Sequence, residues 1–164
     1  MQDILKGLRI VEGSAFIAAP MCGMTLAQLG ADVIRFDNIQ GGVDYHRWPV
    51  NPDNHSFYWA DLNKGKRSFA VDLKSERGRE LVTALITVEG PEGGIFSTNL
   101  PAKGWLSYAS LKSHREDLIQ LAIIGDRHGG TALDYTVNSK VGFPNITGPD
   151  DDDRPVNHVL PAWD

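Results

Sequence analysis

The sequence predicts an α/β domain built on an open, doubly wound parallel sheet. Short apolar runs alternate with helical patterns as far as Ile124, and Gly or Pro punctuation falls between them. The first two apolar runs flank a single short helical stretch, which makes them neighbouring parallel strands joined by a crossover. Residues 8–12 form the first run and end at Gly13-Ser14. A helix follows: Pro20 suits its first turn, Met21, Met24, Leu26 and Leu29 recur at helical spacing, and Gly30 supplies the stop. Residues 32–37 are the second strand.

A long polar stretch with Gly41, Gly42, Pro49 and Pro52 then reads as a surface excursion, the kind of long loop that often carries function. The basic turn Asn63-Lys64-Gly65-Lys66-Arg67 feeds a strand at 68–73, and Ser75 is placed to cap a helix through Glu80, Leu81, Leu85 and Ile86. Residues 94–98 are a further strand, 107–115 a further helix, and 118–124 the most hydrophobic strand of all. From Gly125 onward the chain is rich in turn residues, with little regular structure expected. So long an irregular tail is rare in a compact domain, which raises the expectation that more chain follows Asp164.

Composition narrows the function classes. The 164 residues are 41% hydrophobic and 23% charged, enough apolar material for a single core. A net charge of -5 with no lone basic stripe argues against a nucleic-acid partner. No apolar run approaches the roughly 20 residues of a membrane span, and no basic segment followed by an apolar one opens the chain, so a soluble cytoplasmic protein without membrane association is expected. Cys22 is the single cysteine, in an apolar helical stretch that favours a buried position. His46, His55, His114, His128 and His158 lack metal-ligand spacing, so no metal site is expected.

Several motifs fail or stay open. Asp37 closes the second strand where a ribose-binding acid would stand, yet Ser14-Ala15-Phe16-Ile17-Ala18-Ala19-Pro20 lacks the glycines that let a pyrophosphate approach the backbone. No G-x-S-x-G elbow is present. Lys64, Lys66 and Arg67, with Lys74, Arg77 and Arg79, have the chemistry to hold phosphate oxygens, although a solvated turn has the same composition. The acidic run 150–153 reads as an exposed loop.

Taken in order, Leu8-Arg9-Ile10-Val11-Glu12, Gly30-Ala31-Asp32-Val33-Ile34-Arg35, Asn63-Lys64-Gly65-Lys66-Arg67-Ser68, Val71-Asp72-Leu73-Lys74, Gly78-Arg79-Glu80-Leu81 and Leu106-Ser107-Tyr108 resemble the family III CoA-transferases, the CaiB/BaiF group. That resemblance implies a Rossmann-like open parallel sheet with flanking helices, here the N-terminal part of the CoA-binding large domain, with the rest of that domain and the small domain absent from this chain. Further segments, among them Val11-Glu12-Gly13-Ser14-Ala15-Phe16, residues 45–49, Gly104-Trp105-Leu106-Ser107-Tyr108, Asp134-Tyr135-Thr136-Val137-Asn138 and residues 156–164, resemble the branch in which one dicarboxylic acid is both donor and acceptor of CoA.

The resemblance implies acyl-CoA and carboxylate substrates, coenzyme A as part of the substrate with no prosthetic group, and an interlocked homodimer in the full-length parent. It makes Asp164 the catalytic nucleophile. CoA contacts carried over are Phe16 and Ile17, Val71 and Lys74, and Thr98 and Asn99. Asn38 stands where formyl-CoA transferases use an arginine and Lys103-Gly104-Trp105 replaces a segment that often supplies another, so phosphate binding is expected to shift towards Lys64, Lys66 or Arg67, of which Lys64 and Arg67 are taken as contacts. Racemases of the superfamily carry a histidine just before the position of Asp134; Leu133 stands here, which removes a proton-transfer partner. A catalytically inactive, CoA-binding fragment is the other expectation for a chain of this length.

Overall fold

The computed structural model describes residues 3–130, 132–151 and 153–156. The chain divides into two compact units, Met1–Ile123 and Ile124–Asp164.

In the first unit the order is β1 (Arg9–Gly13), α1 (Ala18–Gln28), β2 (Asp32–Asn38), α2 (Phe57–Leu62), β3 (Arg67–Val71), α3 (Glu76–Ile86), β4 (Ile95–Thr98), a 3-10 turn at Gly104–Leu106, α4 (Tyr108–Lys112) and β5 (Ile119–Ala122). All five strands are parallel, in the spatial order β3-β2-β1-β4-β5. The direction of winding reverses between β1 and β4, where such sheets place their ligands, beyond the carboxyl ends of the strands.

Alternation along the strands sorts side chains between two faces. Val11, Phe36, Val71 and Phe96 face one way and meet Val82 and Ile86 of α3, Leu106 of the 3-10 turn and Leu111 of α4. The rings of Phe36 and Phe96 are 6.2 Å apart and close to parallel. On the other face Ile10 and Val33 pack on Ala27 and Ala31 at the end of α1. Helix α1 presents Ala19, Gly23 and Ala27 inward, so its backbone lies close to the sheet. Cys22, expected buried, is half-buried on this helix.

Local signals account for the boundaries. Pro20 occupies the first turn of α1, and Gly30, at φ 103°, adopts the left-handed conformation that ends it. Ser75 caps α3 by accepting from the Gly78 N–H at 3.0 Å. A side chain at position 78 would meet the Asp72 carbonyl oxygen at 2.0 Å, so glycine is required where the β3–α3 turn closes on the helix.

Three expectations change. The excursion after β2 contains α2, capped by Ser56 through the Trp59 N–H at 3.1 Å; six residues are too few for apolar periodicity to show. The helix expected at 107–115 shortens to the five-residue α4, with a 3-10 turn just before it. The strand richest in apolar residues, β5, is an edge strand, with Ile119 60% and Leu121 47% exposed. Apolar content reports a demand for burial and does not fix strand order, which follows from the crossovers.

The second unit, expected to hold little regular structure, contains α5 (Asp134–Lys140) and a 3-10 turn at Phe143–Ile146. Leu133 precedes α5 and is exposed. The His128 N–H, and after it Lys140 at 3.3 Å, hold the Asp126 carboxyl below its usual range. Asp164 lies outside the described residues.

Candidate functional site

At the carboxyl end of β1 the chain turns through residues 14–17 into α1. Asn99, just beyond β4, clamps this loop with both ends of its amide: Oδ1 accepts from the Ala15 N–H at 2.9 Å and Nδ2 donates to the Ala15 carbonyl at 2.6 Å. Thr98 donates its hydroxyl to the Gly13 carbonyl at 2.6 Å. The Phe16 N–H donates to Asp44 Oδ2 at 2.9 Å. Phe16 itself sits at φ 63°, a left-handed conformation that side chains other than Gly, Asn and Asp seldom adopt, with its ring 48% exposed. Backbone strain of this kind, about 1–3 kcal/mol, persists where neighbours enforce it and is concentrated at functional sites.

A buried ionic network supplies the enforcement. Arg35, 1% exposed, donates Nε to Asp37 at 2.9 Å and Nη2 to Asp44 at 3.2 Å and to the Ser14 carbonyl at 3.1 Å. Its Nη1 reaches Asn63 at 3.0 Å, and the indole of Trp59 lies over the guanidinium at 5.5 Å. Gly42 lets the excursion loop approach, because a Cβ there would lie within 2.9 Å of Asp37, Arg35 and Asp44.

Beneath them Glu12 Oε1 accepts from Lys66 Nζ at 2.8 Å and from Ser14 Oγ at 2.6 Å. Burial raises the Glu12 carboxyl above its ordinary value, with Lys66 opposing the shift. Burial likewise lowers the Lys66 ammonium, with Glu12 opposing. Removing a charge from water costs more than its partner returns, so both groups move toward neutrality.

Of the residues singled out from sequence, Phe16, Ile17, Thr98 and Asn99 come together at the switch point. Val71 ends β3 and Lys74 follows it, on the carboxyl side but two strands away. The Val71 side chain is buried in the apolar core, whereas Lys74 is exposed on a groove of about 750 Å³ shared with Arg79, Thr83, Trp105 and His114. Arg67 lies at the amino end of the sheet, bonded to Asp32 at 2.8 and 2.7 Å, and Lys64 precedes it, paired with Asp61 at 2.6 Å. The structure therefore does not bring Lys64 and Arg67 together with the others.

Reading by motif missed Glu12, Arg35 and Asp44. A signal was present for two of them: Glu12 shares a face with Ile10, and Arg35 with Val33, so each is a charge at an inward-facing strand position. Asp37, considered for a ribose, is occupied by Arg35. Among the described residues no group of three or more His, Cys, Asp or Glu side chains could hold a metal ion, and no helix is long and apolar enough to cross a membrane.

The arrangement defines an α/β protein with a preformed, glycine-poor loop at the switch point of a parallel sheet. Comparison with known proteins makes the class specific. The chain belongs to CoA-transferase family III, whose family model it matches over residues 5–164. It is 62% identical to 2-methylfumaryl-CoA isomerase of Chloroflexus aurantiacus over 165 aligned residues, covering 100% of this chain, and 35% identical to succinate–glutarate CoA-transferase of Agrobacterium fabrum, covering 90%. It spans 40% of the length of each. A solved CaiB/BaiF family protein from Brucella suis superposes with a TM-score of 0.82 at 30% identity, covering 98% of this chain and 45% of that one.

Proposed function

We propose that the full-length protein moves CoA between carboxylates, acting on mesaconyl-CoA (2-methylfumaryl-CoA) by transfer from C1 to C4 within one molecule. The observation that carries this reading is the 62% identity to a 2-methylfumaryl-CoA isomerase along the whole chain. The clamped loop at Phe16, positioned at the sheet's switch point, supports it.

Asp164 is the proposed nucleophile. Its carboxylate attacks the thioester carbonyl, the C–S bond breaks, and CoA leaves as a thiolate, giving an aspartyl-acyl anhydride. The thiolate attacks the aspartyl carbonyl, expelling the dicarboxylate and forming an aspartyl-CoA thioester. The other carboxylate of the same acid then attacks this thioester, and the returning thiolate takes the acyl group and restores Asp164. No proton is gained or lost overall. Phe16, Ile17, Thr98, Asn99, Val71 and Lys74 are the proposed CoA contacts, in a cytoplasmic homodimer.

Incubating the full-length protein with mesaconyl-C1-CoA and no added acceptor should yield the C4 isomer, and hydroxylamine should convert Asp164 to a hydroxamate found by mass spectrometry. Turnover without an adduct at Asp164 would discard the covalent route. The name of the Agrobacterium fabrum relative favours a second reading, transfer between two molecules. Dependence of the rate on an added dicarboxylate would select it.

A further inference from the structure

We propose that Arg47 is the residue that grips the free carboxylate of the acyl group and so selects dicarboxylic substrates. The proposal rests on the CoA-transfer reading above and deepens it.

Arg47 lies on the excursion loop directly after the Asp44 turn, its N–H donating to the Asp44 carbonyl at 3.0 Å. The Asp44 carboxylate holds the Phe16 N–H, so one buried residue ties the loop bearing Arg47, through its carbonyl, to the lip of the site, through its side chain. The guanidinium carbon stands 5.4 Å from the Phe16 ring centroid and 4.3 Å from that of Tyr58, and Nη1 donates to the Tyr58 hydroxyl at 3.4 Å. Two aromatic faces and a phenol thus orient the group.

No carboxylate among the described residues lies within ion-pairing distance of Arg47. By contrast, Arg9, Arg35, Arg67, Arg77 and Arg115 each pair with an aspartate or glutamate, while Arg79 donates to the Leu73 carbonyl and Arg127 to the His128 ring. A ring beneath a guanidinium attracts its face and leaves the in-plane N–H groups to meet an anion. Those N–H groups match a carboxylate in a two-bond fork. The left-handed Phe16 gains a reason: its strained backbone places the ring where it supports Arg47. An exposed, aromatic-supported arginine at the switch-point lip fits the second carboxylate of an acyl group whose first is bound as a thioester.

CoA phosphates offer a similar anion, and binding measurements separate the sources. The full-length wild type, Arg47→Gln and Arg47→Lys would be titrated calorimetrically with mesaconyl-CoA, with butyryl-CoA, which lacks the second carboxylate, and with CoA alone. Arg47→Gln should weaken mesaconyl-CoA binding by about 10- to 100-fold, the range for a lost hydrogen-bonded charge. It should leave butyryl-CoA and CoA unchanged, and Arg47→Lys, which keeps charge without the fork, should fall between. Equal weakening of all three ligands would assign Arg47 to the CoA moiety and overturn the proposal, as would no change in any. Wild-type protein that binds no CoA at all would instead sink the transfer reading, and the proposal with it.

Discussion

The two faces of the sheet do different work with the same strands. Under α3 and α4 the interior is apolar, with Phe36, Phe96, Val82, Ile86 and Leu111 almost fully enclosed. Under α1 and α2 the outer end of the sheet is apolar, but its ligand end holds Glu12, Arg35, Asp37 and Lys66 out of water. Apolar burial contributes about 25 cal/mol per Å² and tolerates repacking. A buried ion pair contributes little net stability against an apolar replacement, yet its bonds are directional. Stability thus comes mainly from the first face, and the geometry of the Phe16 loop from the second.

The largest losses are expected from one residue on each side, in different currencies. Phe96→Ala should cost about 3–5 kcal/mol of stability by leaving a cavity, without changing the CoA affinity of the molecules that remain folded. Lys66→Met should cost a similar 3–5 kcal/mol, roughly, because Glu12 keeps a buried charge without its partner. Replacing both Glu12 and Lys66 by Met should recover most of that stability while CoA binding stays weakened. Urea titration and calorimetry on the full-length protein test the pair; a double variant with full affinity would erase the distinction between faces.

A smaller effect is expected from Asp44→Ala. It frees the Phe16 N–H and one side of Arg35, a loss of about 1–3 kcal/mol. It should appear more in the KM for acyl-CoA than in kcat. An unchanged KM would show that Phe16 keeps its conformation unaided.

The pH dependence sharpens the contrast further. Burial raises Glu12 above 4.5, so the folded chain holds a proton that the unfolded chain releases. Stability from this group is fully present below 4.5 and fades as pH climbs through the raised value. The stability of wild type minus that of Glu12→Gln should therefore fall as pH rises above 4.5, read from unfolding curves at several pH values. A flat difference would mean that Lys66 fully offsets the effect of burial on Glu12.

Arg67→Ala should do least. Its ion pair with Asp32 is largely exposed and contributes about 0–1 kcal/mol. Its position at the amino end of the sheet predicts unchanged CoA affinity; a clear loss would return it to the phosphate contacts inferred from the basic turn.

Much of this was legible beforehand. Alternating runs and the single short crossover predicted parallel pairing, and Ser75 and Gly30 marked helix ends found within a residue or two. The network was harder to see because its members are scattered: Asp44 lies in a loop whose course no periodicity describes, and it matters only once β2 brings Arg35 beneath it. Basic residues adjacent in sequence were separated in space for the same reason. Lys66 turns inward to Glu12 while Lys64 and Arg67 remain outside.

Within this chain the two borders of the five-stranded sheet are unequal in a way that matters while these residues are being made. On β3 the border carries Arg67 and Ser68, both exposed, and a charge there discourages another strand from docking. On β5 the border offers Ile119 and Leu121 with no charge between them. Among these five strands the uncharged apolar border lies on one side only. Self-association would therefore propagate from β5, and a gatekeeper lysine at Leu121 would slow it while leaving β3 and the ligand end untouched.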